Sequence, residues 1–172
     1  MIAYKSFETE RLLLKPMSKE DASFLLELLN SPKWIKYIGD RNVYTIKEAA
    51  TYIKTKMTPQ LKKLGFSNYT VIRKTDNAKV GSCGLYDREG LEGIDLGFAF
   101  LPQYEKMGFA FESANKLKDL AFNQFNLKKI SAITTKENID SQRLLEKLGL
   151  KYIKTINIQD DDEDLLLFET KS

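Results

Sequence analysis

The residues best able to do chemistry sit in two short segments. The first is Gly97-Phe98-Ala99-Phe100-Leu101-Pro102-Gln103-Tyr104-Glu105-Lys106-Met107-Gly108-Phe109-Ala110-Phe111-Glu112. A strand pattern runs through a short loop directly into a helix pattern whose first turn holds Gly108 and Ala110. The first turn of a helix leaves N–H groups unpaired and carries the positive end of the helix dipole. Small residues let an anion approach that backbone closely, so Lys106 to Ala110 is a candidate phosphate cradle. The second segment is Asn138-Ile139-Asp140-Ser141, leading into Leu144-Leu145-Glu146-Lys147-Leu148-Gly149. Asn138 and Ser141 carry the polar side chains of a helix N-cap. Taken alone, each segment is also what an ordinary turn or cap looks like.

What is missing narrows the chemistry further. The chain has no histidine. That removes Ser-His-Asp and Cys-His catalysis, imidazole as a general base, and histidine ligation of zinc. Proton transfer falls to a carboxylate, a tyrosine, a lysine or water. One cysteine, Cys83, allows neither an internal disulfide nor a paired-thiolate metal site. Its apolar flanks on a strand pattern point to a buried, inert thiol.

Several elements must position these segments. The pattern predicts a strand over Arg11 to Lys15, then a helix capped by Ser18 with Asp21, its apolar stripe being Leu25, Leu26 and Leu29. Ser31-Pro32 opens a further short turn with Trp34, Ile35 and Tyr37 as packing residues. Thr45 with Glu48 is a second capping box, Pro59 should break the helix it opens, and Gly65 ends the helical stretch beyond that break. Tyr69 to Arg73, Val80 to Tyr86 and Ile94 to Leu101 read as strands joined by hairpin-length connections. Gly81 and Gly84 hint at a bulge or a close backbone approach. A helix over Gly108 to Phe125, a strand over Lys129 to Thr135, a helix over Ser141 to Leu148 and strands over Lys151 to Gln159 and Leu165 to Thr170 complete the order. The acidic run Asp160 to Asp164 reads as the turn between the last two. The expected fold class is α+β, a mixed and mostly antiparallel central sheet with helices on both faces, and not a doubly wound Rossmann order.

Length and composition agree with one domain over residues 1–172. Hydrophobic residues make up 42% and charged residues 30%, a globular balance. The net charge of +3 comes from scattered residues with no basic stripe, so a nucleic-acid partner is not expected. No run approaches the ~18 apolar residues of a membrane span, and Met1 to Glu10 lacks an apolar leader core. No membrane partner and a cytoplasmic location are the expectations.

The two segments, in this order and spacing, resemble the acetyl-CoA motifs of the GNAT superfamily of N-acetyltransferases, and within it the RimJ/RimL-like branch. The family's pyrophosphate loop, Gln/Arg-x-x-Gly-x-Gly/Ala, is matched by Glu105-Lys106-Met107-Gly108-Phe109-Ala110. The branch pattern Gly-aromatic-x-x-x-Pro-x-Tyr-x-x-x-Gly-aromatic-Ala-x-Glu is matched at Gly97, Phe98, Pro102, Tyr104, Gly108, Phe109, Ala110 and Glu112. Asn138, Ser141, Arg143, Glu146, Lys147 and Gly149 fit the second motif. Thr9-Glu10-Arg11-Leu12-Leu13-Leu14-Lys15-Pro16 is similar to the branch's opening signature.

The resemblance implies direct attack of an amine on the thioester of acetyl-CoA, with no metal. It implies that the amides of Lys106, Met107, Gly108, Phe109 and Ala110 hold the diphosphate, and that the exposed backbone of Phe98 and Phe100 pairs with the pantetheine arm as an added strand would. Asn138 would bond the pantetheine amides and Ser141 would stand beside the sulfur. Asp95 is the candidate general base, with Glu92 or water as alternatives. Two residues depart from the pattern. Glu105 stands where Gln or Arg is usual and is expected to face solvent, and Leu145 stands where many members carry a tyrosine acid. The implied acceptor is a primary amine: a protein or peptide N-terminal α-amine, or else a small amine or aminoglycoside. A CoA-binding module without catalysis is the reading from another class. Homodimers are an expected arrangement for such a family.

Overall fold

The computed structural model describes residues 4–158 and 162–172. Eight strands form one sheet: β1 (Phe7–Glu8), β2 (Leu12–Pro16), β3 (Asn68–Arg73), β4 (Ala78–Tyr86), β5 (Asp95–Phe100), β6 (Lys129–Thr135), β7 (Lys151–Ile156) and β8 (Leu165–Lys171). Their spatial order is β1-β2-β3-β4-β5-β6-β8-β7. Every pairing is antiparallel except β5 with β6. The expected α+β class is therefore what the chain adopts. The acidic turn falls partly outside the described residues; Asn157 Nδ2 donates to Asp164 Oδ1 across it at 2.7 Å.

Six helices cover the sheet: α1 (Ala22–Leu29), α2 (Pro32–Tyr37), α3 (Ile46–Tyr52), α4 (Thr58–Leu64), α5 (Phe109–Asn123) and α6 (Ile139–Lys147). Ser18 and Asp21 do form a reciprocal capping box, but it opens a 3-10 turn, Lys19–Asp21, that runs into α1. Thr45 and Glu48 cap α3 as expected. Pro59 does not end that helical run. It sits in the first turn of α4, where its missing N–H costs nothing, and a π-helical turn over Ile53–Met57 absorbs the mismatch.

Strand alternation separates two cores. Leu12, Leu14, Tyr69, Val71, Cys83, Leu85 and Leu96 pack with Ala114, Leu117 and Ala121 of α5 and Leu145 of α6. On the other face, Leu25, Leu28 and Leu29 of α1 pack with Ala49, Ile53 and Met57. Asn68 and Thr70 point to that second face, where Asn68 Nδ2 meets the sulfurs of Met17 and Met57. The glycines mark close approach. A Cβ on Gly84 or Gly97 would come within 2.5 or 2.9 Å of the Tyr86 ring, which lies across both. The bulge lies opposite Val71/Ile72, where β4 carries the extra residue Val80 between Lys79 and Gly81.

Candidate active site

The sheet opens at one place. β5 and β6 are in register only at Asp95↔Ser131, with Ser131 N–H donating to the Ile94 carbonyl at 2.9 Å. Beyond Asp95 the two parallel strands diverge. Leu101 N–H donates to Val80 on the β4 side. The backbone groups alternate along a strand, so those of Phe98 and Phe100 face the gap toward β6. Their side chains pack against the α5-side core. Both halves of the expectation for these two residues hold: apolar ring inward, peptide group available.

The gap leads to the N-terminus of α5. Pro102–Tyr104 forms a 3-10 turn, and Gly108, at φ 82°, is the N-cap of α5 with no side-chain cap bond. Lys106 is also left-handed, at φ 61°. Alternating left-handed residues turn successive N–H groups to one side and make a concave anion site, here at the positive end of a fifteen-residue helix. At Gly108 an L side chain would be strained.

A cleft of about 400 Å³ joins the gap to this loop. Of the residues expected to bind the cofactor, Phe98, Phe100, Lys106, Gly108, Phe109, Ala110, Asn138 and Ser141 line it. Asn138 is also the N-cap of α6, its Oδ1 accepting from Ser141 N–H at 3.3 Å. The carbonyl end of the amide caps the helix and leaves the amino end to the cleft. Capping and lining are one arrangement rather than competing ones.

Two expected site residues are not brought into this cleft. Met107 does not line it; its side chain is exposed and its carbonyl accepts from Arg11 Nη1 at 3.0 Å. Asp95 does not line it either. Its carboxylate is 1% exposed and pairs with Arg88 at 3.3 Å. It lies where β5 is still held on both edges, by Tyr86 and by Ser131. Burial raises its pKa, and the Arg88 charge and hydrogen bond only partly oppose that. The expected base is thus a buried partner of Arg88, and three residues of strand separate it from Phe98.

Two further points differ from the sequence reading. Glu105 does not simply face solvent. It lines the cleft, is largely covered, and accepts from Lys33 Nζ of α2 at 2.7 Å, while Asp140 of α6 lies 4.0 Å from the same ammonium. The Glu105 hydrogen bond raises the pKa of Lys33, against desolvation. A lysine therefore neutralises the acidic residue that departs from the family pattern. The whole α2 wall, with Ser31, Trp34, Tyr37 and Ile38, is likewise not foreseen. Its aromatic and apolar residues look like packing residues in sequence. The Trp34 indole N–H is buried in that wall with no partner among the described residues. Leu145, at the position of the absent tyrosine, is 1% exposed and belongs to the core. Cys83 is fully buried, and burial pushes its thiol up to about 12.

On the far side of Gly108 the loop is held from outside. Arg11 Nε donates to Glu112 Oε2 at 2.7 Å, and its guanidinium lies 4.5 Å from the centre of the Phe109 ring. Glu112 Oε1 accepts from Thr9 Oγ1 at 2.6 Å and from the Arg11 N–H at 2.8 Å. Burial pushes the Glu112 carboxyl up, but these hydrogen bonds outweigh it and hold the group below its ordinary range.

A diverging parallel pair that opens onto a helix N-terminus defines an acyl-CoA-type transferase fold. The family signature described as Acetyltransferase (GNAT) domain matches residues 11–151. The chain belongs to the GNAT family of acetyltransferases and is an N-acetyltransferase by that membership. It is 31% identical over 146 residues to the uncharacterised N-acetyltransferase p20 of Bacillus licheniformis, covering 83% of this chain and 80% of that protein. A GNAT-family acetyltransferase from Bacillus anthracis superposes with a TM-score of 0.78 at 24% identity, over 97% of this chain and 98% of that one. RimL, a ribosomal L7/L12 α-N-protein acetyltransferase solved with coenzyme A, superposes with a TM-score of 0.82 at 12% identity, over 97% and 98%. Likeness at these identities establishes the shared fold. No helix among the described residues is long and apolar enough to cross a membrane.

Proposed function

We propose that the chain moves the acetyl group of acetyl-CoA directly to a primary amine, the acceptor being the N-terminal α-amine of a peptide or protein. The observation that carries the donor half is the continuity of one cleft, from the free backbone of Phe98 and Phe100 to the left-handed loop at the start of α5. In this reading the diphosphate lies on the amides around Gly108, and the pantetheine arm completes the sheet edge left open by β6. Asn138 holds the arm through its free amino end. The acceptor half is supported by the likeness to RimL, described as an α-N-protein acetyltransferase.

The chemistry follows from those positions. A neutral amine attacks the thioester carbon, the C–N bond forms, and the carbonyl oxygen becomes an oxyanion. A Phe98 N–H facing the gap donates to that oxygen, and a fixed dipole aimed at developing charge is the larger part of such catalysis. The C–S bond then breaks, and Ser141, at the cleft wall, donates to the departing thiolate while water supplies its proton. The proton of the attacking amine leaves to water, because Asp95 is occupied by Arg88 outside the cleft.

The test is release of CoA thiol from acetyl-CoA with peptides bearing free or blocked N-termini, and with polyamines and aminoglycosides. Acetylation of free-amine peptides only is the expected result. Turnover confined to the small amines would overturn the acceptor class. No thiol release with any acceptor would overturn transfer itself.

A further inference from the structure

The loop before α5 has no side chain of its own to hold it. Gly108 caps the helix with its backbone, and a peptide group next to glycine reorients at little cost. The 107–108 peptide is planar and trans, so its C=O and N–H point in opposite directions. Whatever fixes the Met107 carbonyl therefore also aims the Gly108 N–H. Arg11 fixes it: Nη1 donates to that carbonyl at 3.0 Å. Gly108 lines the cleft, while Arg11 and Met107 do not. Arg11 lies instead in a groove on the other side of the loop, with Thr9 and Glu112.

We propose that Arg11 is a positioning residue for acetyl-CoA: by holding the Met107 carbonyl outward it turns the Gly108 N–H into the cleft, toward the diphosphate. Glu112 and Thr9 act through Arg11. Glu112 takes Nε of the guanidinium, and its other oxygen is pinned by the Thr9 hydroxyl and the Arg11 amide. The Phe109 ring supplies a flat face for the same group. A planar fork that makes two directed bonds and a stack is a task for arginine that an ammonium cannot take over. Without this hold, the Met107 carbonyl can swing into the cleft and present its oxygen to a phosphate. The inference rests on the reading that the loop binds the diphosphate.

Coenzyme A is titrated calorimetrically into wild type, Arg11→Ala, Arg11→Lys, Glu112→Gln and Gly108→Glu. Turnover is also measured with acetyl-CoA and with acetyl-pantetheine, which lacks the diphosphate. Arg11→Ala should weaken CoA about tenfold or more, the loss of one charge-assisted donor site. Its kcat at saturating acetyl-CoA and its kcat/KM for acetyl-pantetheine should stay within about threefold of wild type, because only diphosphate binding is lost. Arg11→Lys should be as weak as Arg11→Ala. Glu112→Gln, which keeps the acceptor for Thr9, should fall between, and it carries the test if Arg11→Ala does not fold. Wild-type affinity in both Arg11→Ala and Glu112→Gln overturns the proposal, and so does full recovery in Arg11→Lys, which would make Arg11 a mere positive charge. Failure of the underlying reading looks different: CoA would not bind wild type, or would bind Gly108→Glu equally well.

Discussion

Gly108→Glu probes the cradle most directly, and its effect has two separable parts. Gly108 is left-handed at φ 82°, and a Cβ there would stand 3.2 Å from Arg11 Nη2. Forcing a side chain into that conformation costs about 1–2 kcal/mol. For a chain of this size each kcal/mol lowers the melting temperature by roughly 2–4 °C, so the ligand-free variant should melt about 2–8 °C below wild type. The second part concerns ligand. Coenzyme A at about 100 times its Kd stabilises the native state by about 2.7 kcal/mol, a rise of roughly 5–11 °C. The new carboxylate would face the diphosphate at about 4 Å, where like charges repel by about 4 kcal/mol at an effective dielectric near 20. That is about a thousandfold in affinity. The same CoA concentration is then about 0.1 of the new Kd, and the expected stabilisation is under ~0.1 kcal/mol. Differential scanning fluorimetry with and without CoA reads both parts, with Gly108→Ala as the variant that carries the strain without the charge. Wild type should rise, Gly108→Ala should rise from a lowered baseline, and Gly108→Glu should not rise. A Gly108→Glu shift of more than half the wild-type value would refute the placement of the diphosphate on this loop.

Other outcomes follow from the same geometry. Asp95→Asn should change turnover less than about threefold, far below the ~10²-fold or more of a lost general base, and the pH profile should move with the acceptor's own pKa, about 8 for an α-amine. The cost should appear as stability instead, about 1–3 kcal/mol, because Arg88 loses its carboxylate; a hundredfold fall in kcat would return Asp95 to the mechanism. Cys83→Ala should keep its activity, since a thiol raised to about 12 holds almost no thiolate at neutral pH; an acetyl adduct on Cys83 seen by mass spectrometry would contradict direct transfer. Lys33→Glu should weaken CoA by placing a second carboxylate beside Glu105, and adding Glu105→Lys should recover most of that loss. A double-mutant cycle without coupling would show that the 2.7 Å pair plays no part in tolerating Glu105.

Much of this molecule is legible in the chain because its signals are local. The hairpin-linked strands, the caps at Thr45 and Asn138, and the left-handed Gly108 depend on residues a few positions apart. So does the alternation that leaves the Phe98 and Phe100 peptide groups facing away from β4. The absence of histidine excluded whole mechanisms before any fold was considered. Tertiary structure decided the rest, and each case is a contact between residues far apart in sequence. Lys33 meets Glu105 across 72 positions and reverses the expectation for that side chain. Arg11 meets Met107 across 96 positions and turns its carbonyl out of the cleft. The fate of Asp95 was set by a single register point with β6 and by Arg88 folding back over the strand. Trp34 and Tyr37 became cleft wall rather than core because α2 lies against the opening of the sheet. Local pattern fixes which way a backbone runs and which groups it leaves unpaired. Whether an ionisable side chain meets solvent, a ligand or a counter-charge depends on what the rest of the chain packs against it, and desolvation makes that difference large.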